Sequence, residues 1–512
     1  MKSNMKIINR IIFITIILLF SWIFISSLFL NSNVFYNENS IISLIICIPI
    51  SILFLLIYYF IKKSKITLSI KKEIVLLILY FIIVTIIQLI VLNQLDVIPG
   101  WDFGVIYDNA LKYAETGSRA NAVYSEYFQY FPNNILMLLM LVITIKVGLT
   151  IGISAITSIH ILNILFIDLS LLLIYLTIRK IFGKKEAIFS LIITFFFQAL
   201  FIYTPIVYSD TLSLFIGILF IYLFTFINQK SMKKNILIYI FIGLLAFIGK
   251  SIKVTSLIVL IALIFNYLLK NKLKNTIIAV LIIGVSFISF NTIFKLVVSE
   301  EKHFKANDYG SYPYTHWLMM GVEDIDQDNS GRNTYGGYNA ADYDKTRSFK
   351  TGKEAQKYNI QEYVKRVKKM KASGYIKFLT KKNVNIWTDG YYFSNVAIGI
   401  NPVNDSPLRK WIRNEDTRYY GIYFNQAVVY TFILMLIIGS ILKLKETKYK
   451  EIDYIRLSII GILIFLSFWE GRSRYLVNFI PLFIIIIIEF SSIIYNKYLK
   501  ELKKWVIEKK QY

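Results

Sequence analysis

The stretch Pro99-Gly100-Trp101-Asp102-Phe103-Gly104-Val105-Ile106-Tyr107-Asp108-Asn109, continuing to Tyr127-Phe128-Gln129-Tyr130-Phe131-Pro132-Asn133-Asn134, decides how this chain is read. It sets acids, amides and aromatics between two long apolar segments. A membrane-spanning helix needs about 20 apolar residues, so this stretch cannot cross a bilayer. Asp102 to Thr116 has the spacing of a short amphipathic helix lying on a membrane surface. The whole stretch is expected to form the floor of an active site facing away from the cytoplasm.

Outward from it the chain is apolar. Of 512 residues, 56% are hydrophobic and 16% aromatic, and long uncharged apolar runs recur from end to end. The class this predicts is an all-α polytopic membrane protein. Ile7 to Leu30 is too long for the apolar region of a signal peptide and has no small-residue cleavage pattern, so it reads as a retained first helix. The net charge is +25, but most lysines cluster between apolar runs, where the positive-inside rule and anionic lipids account for them. Nucleic acid is therefore not an expected partner. The single cysteine, Cys47, excludes intrachain disulfides and a CxxC metal site. Ile, Lys and Asn dominate, as in proteins of AT-rich bacterial genomes.

Lysine placement sets the expected topology. Lys2 and Lys6 hold the N-terminus in the cytoplasm, helices at about 41–61 and 74–92 follow, and the Pro99 loop falls outside. Between Asn134 and Arg179 the number of crossings is odd. It is one crossing plus a half-buried helix at 134–147, or three with a turn near Lys146 and Gly148. His160, Asn163 and Asp168 lie in this span, as interhelical hydrogen-bonding groups or as functional ones. Further helices are expected at 187–203, 211–228, 236–249, 255–270 and 277–298, then at 427–443, 454–469 and 475–495. The total is about twelve, or fourteen, with both termini cytoplasmic. Four regions result: a two-helix segment (1–73), a membrane core (74–298) whose first outer loop is 93–133, a large outer loop domain (299–423), and a three-helix segment with a basic tail (424–512). Within the loop domain, Ile360 to Met370 has helical periodicity and Tyr375 to Trp387 reads as an interfacial helix.

Four outer turns then carry ionisable groups beside helix ends: Asp102 with Asp108, Asp210, Lys250 with Lys253, and Glu470 with Arg472 and Arg474. Charges at a membrane boundary cost desolvation, so their convergence on one site is the functional expectation. A carboxylate can take the proton of an acceptor hydroxyl while Lys and Arg stabilise a departing lipid phosphate. Each group also has a plainer reading. Asp102 and Asp210 precede helices as N-caps do. Asp108 sits on a solvated face, Lys253 can snorkel, and Arg472 and Arg474 can anchor headgroups. Lys250 sits beside Lys253 with the same two readings, and Glu470 can serve as a salt-bridge partner.

These residues resemble GT-C glycosyltransferases, with closest similarity to bacterial relatives of glycosyltransferase family 39, the protein O-mannosyltransferase and aminoarabinose-transferase group. Tyr314-Thr315-His316-Trp317-Leu318-Met319-Met320-Gly321, Trp387-Thr388-Asp389-Gly390 and Arg472-Ser473-Arg474-Tyr475 look like segments of a Gram-positive branch, and the likeness spans about residues 74–495. The resemblance implies a GT-C fold and inverting transfer of a sugar from a polyprenyl-phosphate donor to a cell-envelope glycan acceptor, in the bacterial plasma membrane. It implies Asp102 as general base and Asp210 as acceptor-orienting acid. Lys253, with Lys250, Arg472 and Arg474, would hold the donor phosphate. Asp108, Tyr130, Asn133, His316 and Glu470 are the candidate substrate contacts. Relatives often carry two prolines at the end of the first loop, where this chain has Pro132 followed by Asn133 and Asn134, which puts acceptor or metal contacts there in doubt.

No cofactor is certain; a divalent ion such as Mg or Mn is the one candidate. Asp324-Ile325-Asp326-Gln327-Asp328-Asn329 opens like a calcium loop, but Asn329 replaces its glycine and Tyr335 its bidentate glutamate. No usable nucleotide-binding fingerprint appears. The alternative functions are a lipid-linked oligosaccharide flippase, which predicts an inverted repeat not evident here, and a polysaccharide polymerase.

Overall fold

Away from water, each backbone N–H and C=O must find its partner within its own segment, so long apolar runs fold as helices. The computed structural model describes residues 2–30, 39–64, 69–116, 126–228, 231, 233–299, 311–325, 334–444 and 453–499. Lys65, Lys230, Lys445, Lys448 and Lys450, which belong to the lysine clusters between apolar runs, lie outside the described residues, as does the calcium-like run beyond Ile325.

The chain opens with α1 (Lys2–Ser27), α2 (Ser40–Lys63) and α3 (Ile70–Leu95). The loop after α3 holds α4 (Trp101–Thr116) and α5 (Glu126–Tyr130), followed by α6 (Ile135–Thr150) and α7 (Ala155–Ile181). Two interrupted pairs come next: α8 (Lys184–Thr194) with α9 (Ala199–Ile202), and α10 (Ser209–Leu212) with α11 (Leu214–Phe224). Then follow α12 (Ile236–Ile252), α13 (Leu257–Lys270) and α14 (Leu273–Ser299). The large loop contains α15 (Thr315–Met320), α16 (Ala340–Arg347), α17 (Gly352–Thr388), α18 (Ser394–Ala397) and α19 (Pro407–Arg413). The chain closes with α20 (Arg418–Leu444), α21 (Asp453–Phe468) and α22 (Ile480–Ile494). The described strands are one short antiparallel pair, Asp324–Ile325 with Thr334–Tyr335.

Among the described residues, nine helices are long and apolar enough to cross a bilayer, and Ser209–Phe224 and Val254–Lys270 are shorter apolar helices. The crossings expected at 187–203 and 454–469 fall on the interrupted α8–α9 pair and on α21. The α22 span is the hub, with 89% of its apolar window buried, whereas only 17% of the α14 window is buried.

The amphipathic helix expected in the first loop is α4. Its buried positions Phe103, Ile106, Ala110 and Tyr113 form one stripe, packed against Leu138, Leu141 and Ile145 of α6. The turn after α6 lies at Gly152, whose φ of +79° suits glycine, rather than at Gly148, which is pressed against Ser158. Helix α6 is long and apolar enough to span, yet it packs along α4 and the opening of α7. The two helices expected at 360–370 and 375–387 are both present: α17 is two helical segments that meet at a kink at Lys371, whose φ is +55°.

The two ends of the bundle differ. At one end, Glu186 pairs with Lys62 at 2.6 Å, and Glu73 pairs with Lys184 at 3.0 Å and with Arg179. On that side, too, Lys443, Asp453, Arg456 and Glu489 close a buried network, with Glu489 2.5 Å from Lys443 and 2.7 Å from Arg456. The other end carries the turns 96–100, 203–209, 252–256, 389–400 and 469–475, together with the large loop. There the loop domain is pinned by Lys382, which is buried and donates to the carbonyls of Gly321 at 2.7 Å and Trp469 at 2.6 Å. Burial pushes this ammonium down to about 7.

Candidate functional site

Asp102 stands in the first turn of α4, where the helix N-terminus favours an acid. The Tyr208 hydroxyl donates to its Oδ2 at 3.2 Å, and the Tyr127 hydroxyl also bonds to it. Tyr127 in turn accepts from Asn134 Nδ2 at 2.6 Å, and Asn133 donates to Asn134 at 3.0 Å. Burial holds both phenols well above their ordinary value, so they stay protonated and act as donors. The carboxylate itself is exposed.

Tyr208 is also the bridge to the cations. The Arg474 guanidinium lies 4.5 Å from its ring centroid and 5.3 Å from that of Tyr475. Lys253 Nζ sits 3.8 Å over the Tyr475 ring and 2.8 Å from Asp210 Oδ1. Tyr475 donates its hydroxyl to Glu470 at 2.6 Å. Burial lowers the Lys253 ammonium while Asp210 opposes that shift. Asp210 is fully buried in the first turn of α10. Lys253 points inward because α12 ends there: its extended backbone (φ −153°, ψ 101°) leads into a single 3-10 turn before α13.

A third layer completes the site. Arg472 lies 5.2 Å over the ring of Phe393, which packs 6.0 Å from that of Trp101. Trp101, Tyr392 and Phe393 all adopt positive φ (51°, 50° and 69°), a conformation costing roughly 1–3 kcal/mol for such residues. Half-buried Asp389 holds this bend: it accepts from the backbone N–H groups of Tyr391 at 3.1 Å and Phe393 at 2.8 Å, and from Ser473 Oγ at 2.6 Å. Burial raises its carboxyl and these donors offset the rise. A shallow open cleft lies against Trp101, lined also by Val97, Pro99, Pro205, Tyr208 and Ile400.

The fold thus brings together Asp102, Asp210, Lys253, Glu470, Arg472 and Arg474, with Asn133 joined through Asn134 and Tyr127. It separates the others. Lys250 faces α14, where its Nζ is 3.4 Å from Asn291 Oδ1, so it does not share the setting of Lys253. Asp108 lies exposed further along α4. Tyr130 and His316 belong to an aromatic block with Tyr312 and Tyr343 that joins the first loop to the loop domain. His316 is buried, its Nδ1 is 2.8 Å from Thr346 Oγ1, and burial lowers it to about 3, as for a packed neutral imidazole. Tyr127, Tyr208, Asp389 and Tyr475 were not among the expected site residues. The signal for Asp389 and Tyr475 was their place in the segments Trp387–Gly390 and Arg472–Tyr475. Among the described residues no three His, Cys, Asp or Glu side chains gather as metal ligands.

Fold and site define a polytopic helical membrane protein with an acid–cation cluster at one end of its bundle. The chain belongs to the family described as conserved hypothetical integral membrane protein, which matches residues 1–493. No curated protein and no solved structure matches it.

Proposed function

We propose that this protein is a glycosyltransferase of the GT-C type that moves a sugar from a polyprenyl-phosphate donor to an envelope glycan acceptor outside the bacterial plasma membrane. One observation carries the reading. An exposed carboxylate, Asp102, and three cationic groups, Lys253, Arg472 and Arg474, meet at one bundle end from three distant parts of the chain. The likeness of the Trp387–Gly390 and Arg472–Tyr475 segments to that group supports it. On this reading the lysine-rich bundle end and both termini are cytoplasmic.

In the reaction proposed, Asp102 takes the proton of an acceptor hydroxyl as the new C–O bond forms at the anomeric carbon. The bond from that carbon to the phosphate oxygen breaks on the opposite face, giving inversion. The polyprenyl phosphate leaves with the added charge, which Lys253, Arg472 and Arg474 stabilise. Asp210 keeps Lys253 in place, and Tyr208 couples the base to Arg474.

The test is transfer from polyprenyl-phosphate hexose in membranes, comparing wild type with Asp102→Asn. A loss of about 10²- to 10⁴-fold at equal protein level is expected. Equal transfer by the variant removes Asp102 from the chemistry. No transfer by wild type from any polyprenyl-phosphate sugar sinks the proposal and favours the flippase.

A further inference from the structure

The first half of α17, Gly352 to Met370, carries six basic and two acidic residues. Its inward face is satisfied. Ala355 and Asn359 are buried, and Arg366 is gripped by Asp342 at 2.7 Å, by Glu362 at 3.3 Å and by Glu323. The outward face is not. Lys353, Lys357, Gln361, Lys365 and Lys369 follow one another at intervals of four, which aligns them along one ridge of the helix. At 1.5 Å per residue that ridge is ~24 Å long, with steps of about 6 Å.

All four lysines are exposed, and Lys368 lies beside them. Among the described residues none of Lys353, Lys357, Lys368 and Lys369 has an acidic partner; Lys365 alone pairs, with Glu362 at 3.1 Å. The remaining acid, Glu354, occupies the first turn, where the helix N-terminus favours it. Like charges at i,i+4 weaken a helix, so the ridge is a cost the fold gains nothing from by itself. Its apolar company is Ile360 and Val364, both exposed, with none of the Trp, Phe or Leu that a helix sinking into headgroups presents. Beyond the kink at Lys371 a second helical segment runs on to Thr388, beside Asp389 and the candidate site.

We propose that this ridge is a docking strip for a polyanionic chain with repeated phosphate groups, on the same bundle end as the acid–cation cluster. Resting on the transfer reading, it makes the acceptor a polyanion; the binding stands apart from transfer and is tested apart from it. The full chain in phosphatidylcholine nanodiscs is titrated with linear inorganic polyphosphate at several salt concentrations. Replacing Lys353, Lys357, Lys365 and Lys369 together by Gln is expected to weaken binding at least ~10-fold and to flatten the slope of log K against log salt by about 3. The matching Arg variant is expected to bind as wild type does. Equal binding by the Gln variant overturns the proposal, and so does loss of binding in the Arg variant. A third overturning result is binding that vanishes when the nanodiscs contain phosphatidylglycerol, which would assign the strip to the lipid surface. Binding without transfer leaves the strip and removes the reaction; transfer without binding does the reverse.

Discussion

The two ends of the bundle bury ionised groups in opposite styles. At the lysine-rich end, Lys443, Asp453, Arg456 and Glu489 are almost fully enclosed, and two positive charges meet two negative ones. Such a closed network fixes helices against one another. At the other end the cations rest on aromatic faces, the carboxylate of Asp102 is open to solvent, and the backbone is bent at Trp101, Tyr392 and Phe393. Buried charge alone therefore does not mark a reactive site. What distinguishes the candidate site is an exposed carboxylate and cations seated on aromatic faces, on a backbone held in costly shape.

Substitutions can break this contrast. Asp102→Asn should cost ~10²- to 10⁴-fold in transfer with only a small change in thermal midpoint, since its side chain is exposed. Glu489→Gln should act the other way: removing one partner from a buried network costs about 3–5 kcal/mol, read as a drop in thermal unfolding midpoint in detergent. An unchanged midpoint would mean that the network is not what holds α20, α21 and α22 together. Tyr208→Phe deletes one donor to Asp102 and should lower transfer by ~10- to 100-fold, as a hydrogen bond to a charged group is worth roughly 1.5–3 kcal/mol. Wild-type rates in that variant would separate the base from its supporting hydroxyl.

The last contrast concerns pH. His316 is held neutral down to about 3, while in the unfolded chain it protonates near 6.5. Acid therefore favours the unfolded state, and stability contributed here is present above about 6.5 and lost as pH falls towards 3. His316→Asn should flatten the acid limb of a stability-against-pH curve. An unaltered limb would assign the acid sensitivity to other groups.

Much of this was legible in the sequence. The apolar stripe of α4 is written in the spacing of Phe103, Ile106, Ala110 and Tyr113, and the outer turns stood out because they carry charge beside helix ends. In the sequence only the resemblance favours Lys253 over Lys250; the end of α12 and the turn after it are what decide which one points inward. The hydroxyl partners were hidden for a different reason. Tyr208 and Asp102 are 106 residues apart, and no local pattern joins them. The break at Lys371 falls between the two helical patterns read at 360–370 and 375–387.

The pinning of the loop domain has a consequence for exchanging parts between related chains. Lys382 reaches carbonyls on both sides of the junction, and Gly321 and Gly336 lie so near their neighbours that a methyl group at either would collide with backbone atoms. Glu470 donates its N–H to the Trp317 carbonyl, and Gly471 donates to that of Gly336. A hybrid carrying a foreign loop domain would thus need the matching 467–471 turn from the same parent. Cut instead at residues 311 and 389 alone, it would inherit a seam between two surfaces that were never fitted to each other.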